Sequence, residues 1–330
     1  MSRRARIVRA AVFVGTVALL IVFARMVEWA ETWQAIRRAS MTLLLAAAVV
    51  NLLSLGTRAA RWWVFLRPIG VRSYWSALRG AIAGSGLNNL IPMSAGEAAR
   101  AMLVAQRSGV SRSRVVATVA LDRLVEIASY VSLLVAVPLV TVLPGPIMRW
   151  GASAKMVLVS LLALVVVLAW IAVQRRRRGA PVVELGQSRI RAAISRFTSS
   201  LTELPTPGRL TMAFGISMLS WIGQLAVYHL TARAAGVAVP VLASVAAMVA
   251  VNVAFLVQLT PGNVGIFQVI YAMTMAAFGV GRDVSVAVAL LIQALQIIPV
   301  TALALVIAPR MALRRDDRRD LAAASRGFGD

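Results

Sequence analysis

Apolar runs of about 20 residues follow one another along almost the whole chain, and this feature restricts the possible fold more than any other. Of the 330 residues, 60% are hydrophobic. A helix needs roughly 20 apolar residues to cross the hydrocarbon core of a bilayer, and its backbone groups must be satisfied within the segment itself. The sequence therefore predicts an all-α polytopic integral membrane protein, in which length sets the number of spans.

Eight of these runs are long enough to be transmembrane helices. Their approximate ranges are 8–27, 41–60, 115–138, 154–173, 210–232, 240–259, 264–280 and 284–308. The seventh, at 264–280, is also short enough to be re-entrant. The region 74–106 is apolar but is interrupted by glycines and by Pro92, and it is too short for two crossings. We predict a re-entrant hairpin there, with a polar cavity that satisfies its backbone.

The basic residues lie mainly between the apolar runs. The chain carries 35 basic and 12 acidic residues, a formal net charge of +23. Such an excess suggests nucleic acid, but clusters beside the spans fit the positive-inside rule, so no nucleic-acid partner is expected. We predict a multi-pass protein of the plasma membrane with both termini cytoplasmic. On this topology Arg58, Arg61, Arg67 and Arg72 mark the cytoplasmic end of the second span.

The chain divides into two halves with a similar order of features. They cover about 8–173 and 209–308, joined by a cytoplasmic linker at 174–208 and followed by a basic cytoplasmic tail at 309–330. In each half two spans precede a Leu-x-Pro-x-x-x-Gly break, at residues 90–96 and 259–265. Many transporters form a substrate site from such repeats with interrupted helices. We therefore treat 1–330 as a single transmembrane domain with one polar site at the two breaks.

Five ionisable side chains of the first break and of the predicted span at 115–138 form a candidate group. A charge at this depth costs about 2.5–3.5 kcal/mol on insertion scales, so it marks a functional or a paired position. These residues are Glu97, Arg100, Asp122, Arg123 and Glu126. In one reading they form a salt-bridge network that only locks the helices together. In the other, both arginines bind the phosphate of a lipid headgroup and the carboxylates set the charge balance.

The two breaks add uncharged groups to the candidate substrate-binding site. The first supplies Asn88, Asn89 and Pro92, and the second supplies Pro261, Gly262, Asn263, Gly265 and Gln268. A helix that begins after a break has free N–H groups and a dipole that favour phosphate or carboxylate. A plain loop between two spans is the alternative for the second break. Gln293 either lines the same cavity or makes an interhelical amide contact.

The sequence offers little for covalent catalysis. It has no cysteine and one histidine, so neither a thiolate site nor a zinc site of neighbouring Cys and His residues is expected. A Gly-x-Ser-x-Gly nucleophile elbow is also absent. We expect no catalytic residue, no metal and no cofactor, and a transporter in place of an enzyme. A membrane-embedded lipid transferase with Asp122 or Glu126 as its base is the alternative.

Three segments together resemble the lysylphosphatidylglycerol-synthase-type transmembrane family, or flippase-like domain. They are residues 90–100, 121–126 and 260–268, and Gln268 stands where the family pattern usually has an acid. The resemblance implies a module that moves a polar-headed lipid between leaflets, either an anionic or zwitterionic phospholipid or a polyprenyl-linked sugar. About 20 residues follow the last predicted span, so a soluble synthase domain is not expected. A non-catalytic partner of a cell-envelope glycosyltransferase or synthase is the other reading.

Overall fold

The computed structural model describes Arg25 and residues 27–90, 95–140, 206–254 and 263–324. Almost all of these residues lie in helices or in the short turns that join them, so the predicted all-α fold is confirmed for this part of the chain. The predicted span at 154–173, most of the span at 8–27 and nearly all of the linker at 174–208 lie outside the described residues.

Nine α-helices are present in the described part of the chain. In order, α1 to α9 are Trp29–Arg38, Met41–Leu66, Tyr74–Leu90, Ala95–Ser108, Arg112–Val140, Pro207–Ala234, Val241–Ala254, Ile266–Ala276 and Arg282–Ala324. A 3-10 turn at Arg67–Ile69 extends α2. Three stretches are long and apolar enough to cross a membrane, namely Met41–Ile69, Pro207–Ala234 and Arg282–Ile307. The count of eight spans stays a prediction.

Helix α5 contains the predicted span at 115–138 and carries three charged side chains in its central turns. It has 29 residues, which corresponds to about 43 Å at 1.5 Å per residue and exceeds the hydrocarbon thickness. Asp122, Arg123 and Glu126 lower the apolar character of its central turns. Its length therefore fits a span, whereas its composition requires partners for these charges from neighbouring helices.

Helices α3 and α4 pack along each other and correspond to the predicted hairpin. They approach closely because Gly96 has no side chain: an added Cβ would overlap the Gly84 carbonyl oxygen and lie 2.7 Å from Asn88 Oδ1. The Gly96 N–H donates to that same Asn88 oxygen at 2.7 Å. This contact ties the two helices together beside residues 91–94, which are outside the described part. Re-entry of the hairpin into the membrane stays a prediction.

Helices α2 and α9 pack against several of the other helices. Helix α2 packs along α6, with Gly223 directly against the Ser54 side chain, and α9 packs against the hairpin. The Asn51 side-chain amide of α2 donates to the Leu295 carbonyl of α9 at 2.9 Å. On the opposite side of α2, large apolar side chains at four-residue spacing are exposed, at Leu45, Val49 and Leu53. Such a stripe lies on one helix face and fits contact with lipid.

Candidate functional site

Seven ionisable side chains from α2, α4 and α5 meet in one group, which we call the charged cluster. Four are guanidinium groups and three are carboxylates, so the cluster carries a formal excess of one positive charge. Its members are Arg58, Arg61, Glu97, Arg100, Asp122, Arg123 and Glu126. The structure thus brings together all five of the charged residues that the sequence singled out and adds two arginines from α2.

The most buried part of the cluster is the ion pair between Arg61 and Asp122. Arg61 is 2% exposed and Asp122 is 1% exposed, and Arg61 Nε lies 2.7 Å from Asp122 Oδ1. The two other nitrogens of Arg61 contact Glu126 Oε2 at 3.3 Å and Ser217 Oγ at 2.8 Å. Arg61 therefore joins α2 to both α5 and α6, and removing a partner would leave a buried charge uncompensated.

Arg100 approaches the other oxygen of the same carboxylate. Its Nη2 lies 3.2 Å from Asp122 Oδ2, and its guanidinium stands 4.8 Å from the centre of the Trp62 ring, a cation–π distance. The Trp62 indole is fixed in turn by donation to Thr118 Oγ1 at 3.1 Å. The Nε atom of Arg100 is buried without a hydrogen-bond partner among the described residues. One of its donors is thus left for water or a ligand.

Arg123 lies at the more accessible edge of the cluster, where its side chain is 43% exposed. Its Nη1 contacts Glu126 Oε2 at 2.6 Å, an i,i+3 pair on α5. Its Nη2 forms an ion pair with Glu97 Oε1. Both terminal nitrogens of Arg123 are therefore engaged by carboxylates. Glu97 and Glu126, both partly exposed, thus each have Arg123 as an ion-pair partner. The pair with Glu97 connects α4 to α5.

A cavity of about 70 Å³ opens between α2, the hairpin and α5. Nine residues line it: Leu55, Arg58, Arg61, Ala81, Ser85, Arg100, Asp122, Arg123 and Glu126. A water needs roughly 10–15 Å³ of such space, so the cavity has room for several waters or for one small anionic group. Its walls are mostly charged. That it serves the interrupted helices as their polar cavity stays a prediction.

The structure gives Arg58 and Arg61 contacts that the sequence analysis did not assign to them. Helix α2 continues to Leu66, so these two arginines lie inside it and within the cluster. That this end of α2 faces the cytoplasm stays a prediction. A signal for their place in the cluster was present in the sequence. Ser54, Thr57, Arg58 and Arg61 recur at helical spacing and share one face of α2. Polar residues at this spacing in an otherwise apolar span indicate a face turned towards protein.

The predicted amides of the first break lie beside the cavity and are absent from its lining. Asn88 accepts the Gly96 N–H within the hairpin, and Asn89 Nδ2 donates to Thr301 Oγ1 of α9 at 3.1 Å. These contacts hold the hairpin closed and attach it to α9. Pro92 lies outside the described residues. The binding role predicted for both amides stays a prediction.

The second break begins helix α8. Pro261 and Gly262 lie outside the described residues, whereas Asn263 has a left-handed backbone with φ 53°. The oxygen of its side chain is buried without a partner among the described residues. Gly265 precedes the first turn of α8, and its N–H donates to Gln268 Oε1 at 2.6 Å. Helix α8 therefore begins at the second break, with the side chain of Gln268 as its cap. That this helix start binds phosphate or carboxylate stays a prediction.

Gln268 also connects α8 to α9, because its Nε2 donates to Gln293 Oε1 at 2.6 Å. Gln293 thus makes the interhelical amide contact that was one of its two predicted roles. Thr301, the partner of the first break, lies eight residues further along α9, about 12 Å at 1.5 Å per residue. The two breaks therefore contact one helix two turns apart. That they bind one ligand together stays a prediction.

Gln268→Leu removes the acceptor of the Gly265 N–H and the bridge to Gln293. We expect it to lower the free energy of unfolding by about 1–3 kcal/mol, because the Gly265 N–H is then left unsatisfied. The measurement is the Tm of the purified protein in detergent. Gln268→Glu keeps an acceptor for this N–H and serves as the control, and we expect it to lower the Tm less than Gln268→Leu does. An unchanged Tm for Gln268→Leu would contradict the proposed cap.

Metal chemistry has no obvious location in the described part of the chain. Within residues 27–90, 95–140, 206–254 and 263–324, no three His, Cys, Asp or Glu side chains are grouped as metal ligands. The three carboxylates of the charged cluster all contact guanidinium groups instead. The expectation of no metal and no cofactor stays an expectation for the chain as a whole.

The fold and the cluster together define a helical membrane protein whose charged groups surround a cavity between its helices. Residues 6–304 match the family described as the lysylphosphatidylglycerol synthase TM region, and the chain belongs to this family. The resemblance seen in the three motifs is thereby confirmed. The chain is also 24% identical over 298 residues to a UPF0104 membrane protein of Methanothermobacter thermautotrophicus, a match that covers 84% of this chain and 87% of that protein.

Proposed function

We propose that the protein moves a polar-headed lipid between the two leaflets of the plasma membrane. The observation that carries this proposal is the cavity lined by charged side chains, within a bundle whose outer face on α2 is apolar. Such a cavity gives a headgroup a polar path, while apolar surfaces outside it suit acyl or prenyl chains. Ionisable groups within spans are expensive, which favours a functional reason for so many in one place.

In the proposed mechanism a headgroup enters at the exposed edge of the cluster. Arg123, Glu97 and Glu126 lie at this edge, and an arriving phosphate would compete with the carboxylates for the guanidinium groups. The pair between Arg61 and Asp122, deeper and almost fully buried, would keep α2 and α5 together meanwhile. The pairs at the edge would open and close again as the headgroup passes, and no covalent bond would be made or broken.

The remaining parts of the proposal follow from this path. The α3–α4 hairpin would be re-entrant within a bundle of about eight spans, and both termini would be cytoplasmic. The ligand would be an anionic or zwitterionic phospholipid or a polyprenyl-linked sugar. A cell-envelope synthase or glycosyltransferase partner would supply it. The protein would act as a transporter without a cofactor.

Transport of fluorescent phosphatidylglycerol in proteoliposomes tests the proposal. Dithionite added outside the vesicles reports how fast the label moves from the inner to the outer leaflet. We expect Arg123→Ala and Glu97→Gln each to slow this movement at least about tenfold, equivalent to about 1.4 kcal/mol in the barrier. Both changes remove the pair at the cavity edge, where the headgroup is proposed to enter.

Arg209→Gln is the matched control, because Arg209 is an exposed arginine at the start of α6, away from the cluster. It is expected to transport at the wild-type rate. Wild-type rates for both Arg123→Ala and Glu97→Gln would overturn the mechanism. Absence of transport by the wild-type protein with phosphatidylglycerol, phosphatidylethanolamine and a polyprenyl phosphate sugar would overturn the function.

A further inference from the structure

Arg58 differs from the other arginines of the charged cluster. Its Nη2 donates to the neutral Gln224 Oε1 at 3.2 Å, and it forms no ion pair within the described part of the chain. Arg61, Arg100 and Arg123 each contact at least one carboxylate. Arg58 is therefore the arginine of the cluster that has no carboxylate at ion-pair distance among the described residues, and its side chain lines the cavity.

Arg100 is a second guanidinium group that lines the same cavity. It shares Asp122 with Arg61 through one nitrogen only, while its buried Nε has no partner within the described residues. A buried N–H without an acceptor is costly, so such a group indicates a water or a ligand atom that completes it. Ser85, from the hairpin, also lines the cavity and adds a hydroxyl. Arg58 and Arg100 thus bring two guanidinium groups to the wall of the cavity.

We infer that Arg58 and Arg100 form a binding site for a phosphate group, and that Arg123 does not belong to it. Guanidinium groups recognise phosphate through several directed hydrogen bonds, and one phosphate charge would balance the formal positive excess of the cluster. The cavity, at about 70 Å³, suits a phosphate better than an entire sugar headgroup. The inference rests on the proposed function for its choice of a lipid as the source of that phosphate.

Arg123 has a different role in this assignment. Its terminal nitrogens are held by Glu97 and Glu126, so it closes the edge of the cavity and positions α4 against α5. This differs from the sequence-based hypothesis, in which Arg100 and Arg123 hold the phosphate. Gln224 of α6 takes a positioning role, because its carbonyl oxygen orients Arg58.

The test measures binding by the purified full-length protein in detergent, separately from transport. The probes are phosphatidylglycerol, diacylglycerol as the analogue without phosphate, and inorganic phosphate. We expect phosphatidylglycerol to bind and diacylglycerol not to bind. Arg58→Gln should weaken phosphatidylglycerol binding at least about tenfold and Arg123→Gln less than about threefold, since Arg58 belongs to the proposed phosphate site and Arg123 does not. Arg58→Lys keeps the charge and should fall between wild type and Arg58→Gln.

Folding is controlled in each variant by the Tm without lipid, and Arg209→Gln should bind as wild type does. Equal affinity of Arg58→Gln and wild type, or a larger loss for Arg123→Gln, overturns the inference. Binding of inorganic phosphate that depends on Arg58, without any binding of phosphatidylglycerol, supports the phosphate site and overturns the lipid source. Arg58-dependent lipid binding without transport supports the inference while the proposed function fails. Wild-type transport that Arg58→Gln leaves unchanged overturns the inference, while the proposed function is supported.

Discussion

Asp122→Ala is expected to lower the free energy of unfolding by about 3 kcal/mol, because it leaves the buried Arg61 guanidinium without its nearest carboxylate. Arg61 is 2% exposed, so water cannot replace the lost partner without a rearrangement of the helices. Glu126, at 3.3 Å from Arg61, keeps the loss near the lower end of the range for broken buried pairs. The measurement is the Tm in detergent together with the fraction of monodisperse protein.

A double variant separates the missing charge partner from the missing side chain. Arg61→Met combined with Asp122→Leu removes both charges and keeps similar volumes, and such replacements are often neutral or stabilising. We expect this protein to be more stable than Asp122→Ala, and we expect it to be inactive in lipid transport. A wild-type Tm for Asp122→Ala would contradict the stabilising role of the ion pair. A double variant less stable than Asp122→Ala would contradict it too.

Different members of the cluster therefore serve its stability and its proposed activity. Both readings of the charges that the sequence left open are compatible with the geometry, because the ion-paired members hold α2, α4 and α5 together while Arg58 contacts the neutral Gln224 and no carboxylate at ion-pair distance among the described residues. A purely structural network would need no cation without a carboxylate. Arg58 is thus the feature that favours a ligand.

The helical class and five members of the cluster could be predicted because each depends on local sequence. Apolar runs of span length predict helices, and a charge inside such a run is visible without any knowledge of its neighbours. Arg58 and Arg61 were assigned to the cytoplasmic margin because the positive-inside rule counts arginines near span ends and ignores the face they occupy. The shared face with Ser54 and Thr57 was the better guide.

The partners of the uncharged polar residues could not be predicted, because they depend on contacts far apart in the chain. Asn89 contacts Thr301, and Gln268 contacts Gln293, each across a helix interface. No spacing rule within one segment identifies such partners. Hydropathy likewise cannot show that the charges of α5 are neutralised by groups on α2 and α4. Pairing between helices, which composition cannot show, decides whether such a helix can lie in a membrane.

Gly96→Ala is expected to disrupt the hairpin, although it adds only one methyl group. The new Cβ would overlap the Gly84 carbonyl oxygen and press on Asn88 Oδ1. The first contact is backbone, which cannot move aside without separating α3 from α4. Overpacking of this kind costs about 1–3 kcal/mol, and we expect a value at the upper end. Arg100 lies one turn beyond Gly96 on α4, so its contacts with Asp122 and Trp62 should also be lost.

Gly215→Ala provides the matched control, because Gly215 also lies within a helix but an added Cβ there would meet no atom within 4 Å. Alanine is a better helix former than glycine by about 1 kcal/mol, so this variant should be as stable as wild type or more so. The same substitution is thus expected to change the Tm in opposite directions at the two sites. If Gly96→Ala instead raised the Tm, the close packing of the hairpin would be wrong, and with it the position of Arg100 in the cavity. If Gly96→Ala lowered the Tm while phosphatidylglycerol binding persisted, the phosphate site would not depend on the packing of α4 against α3.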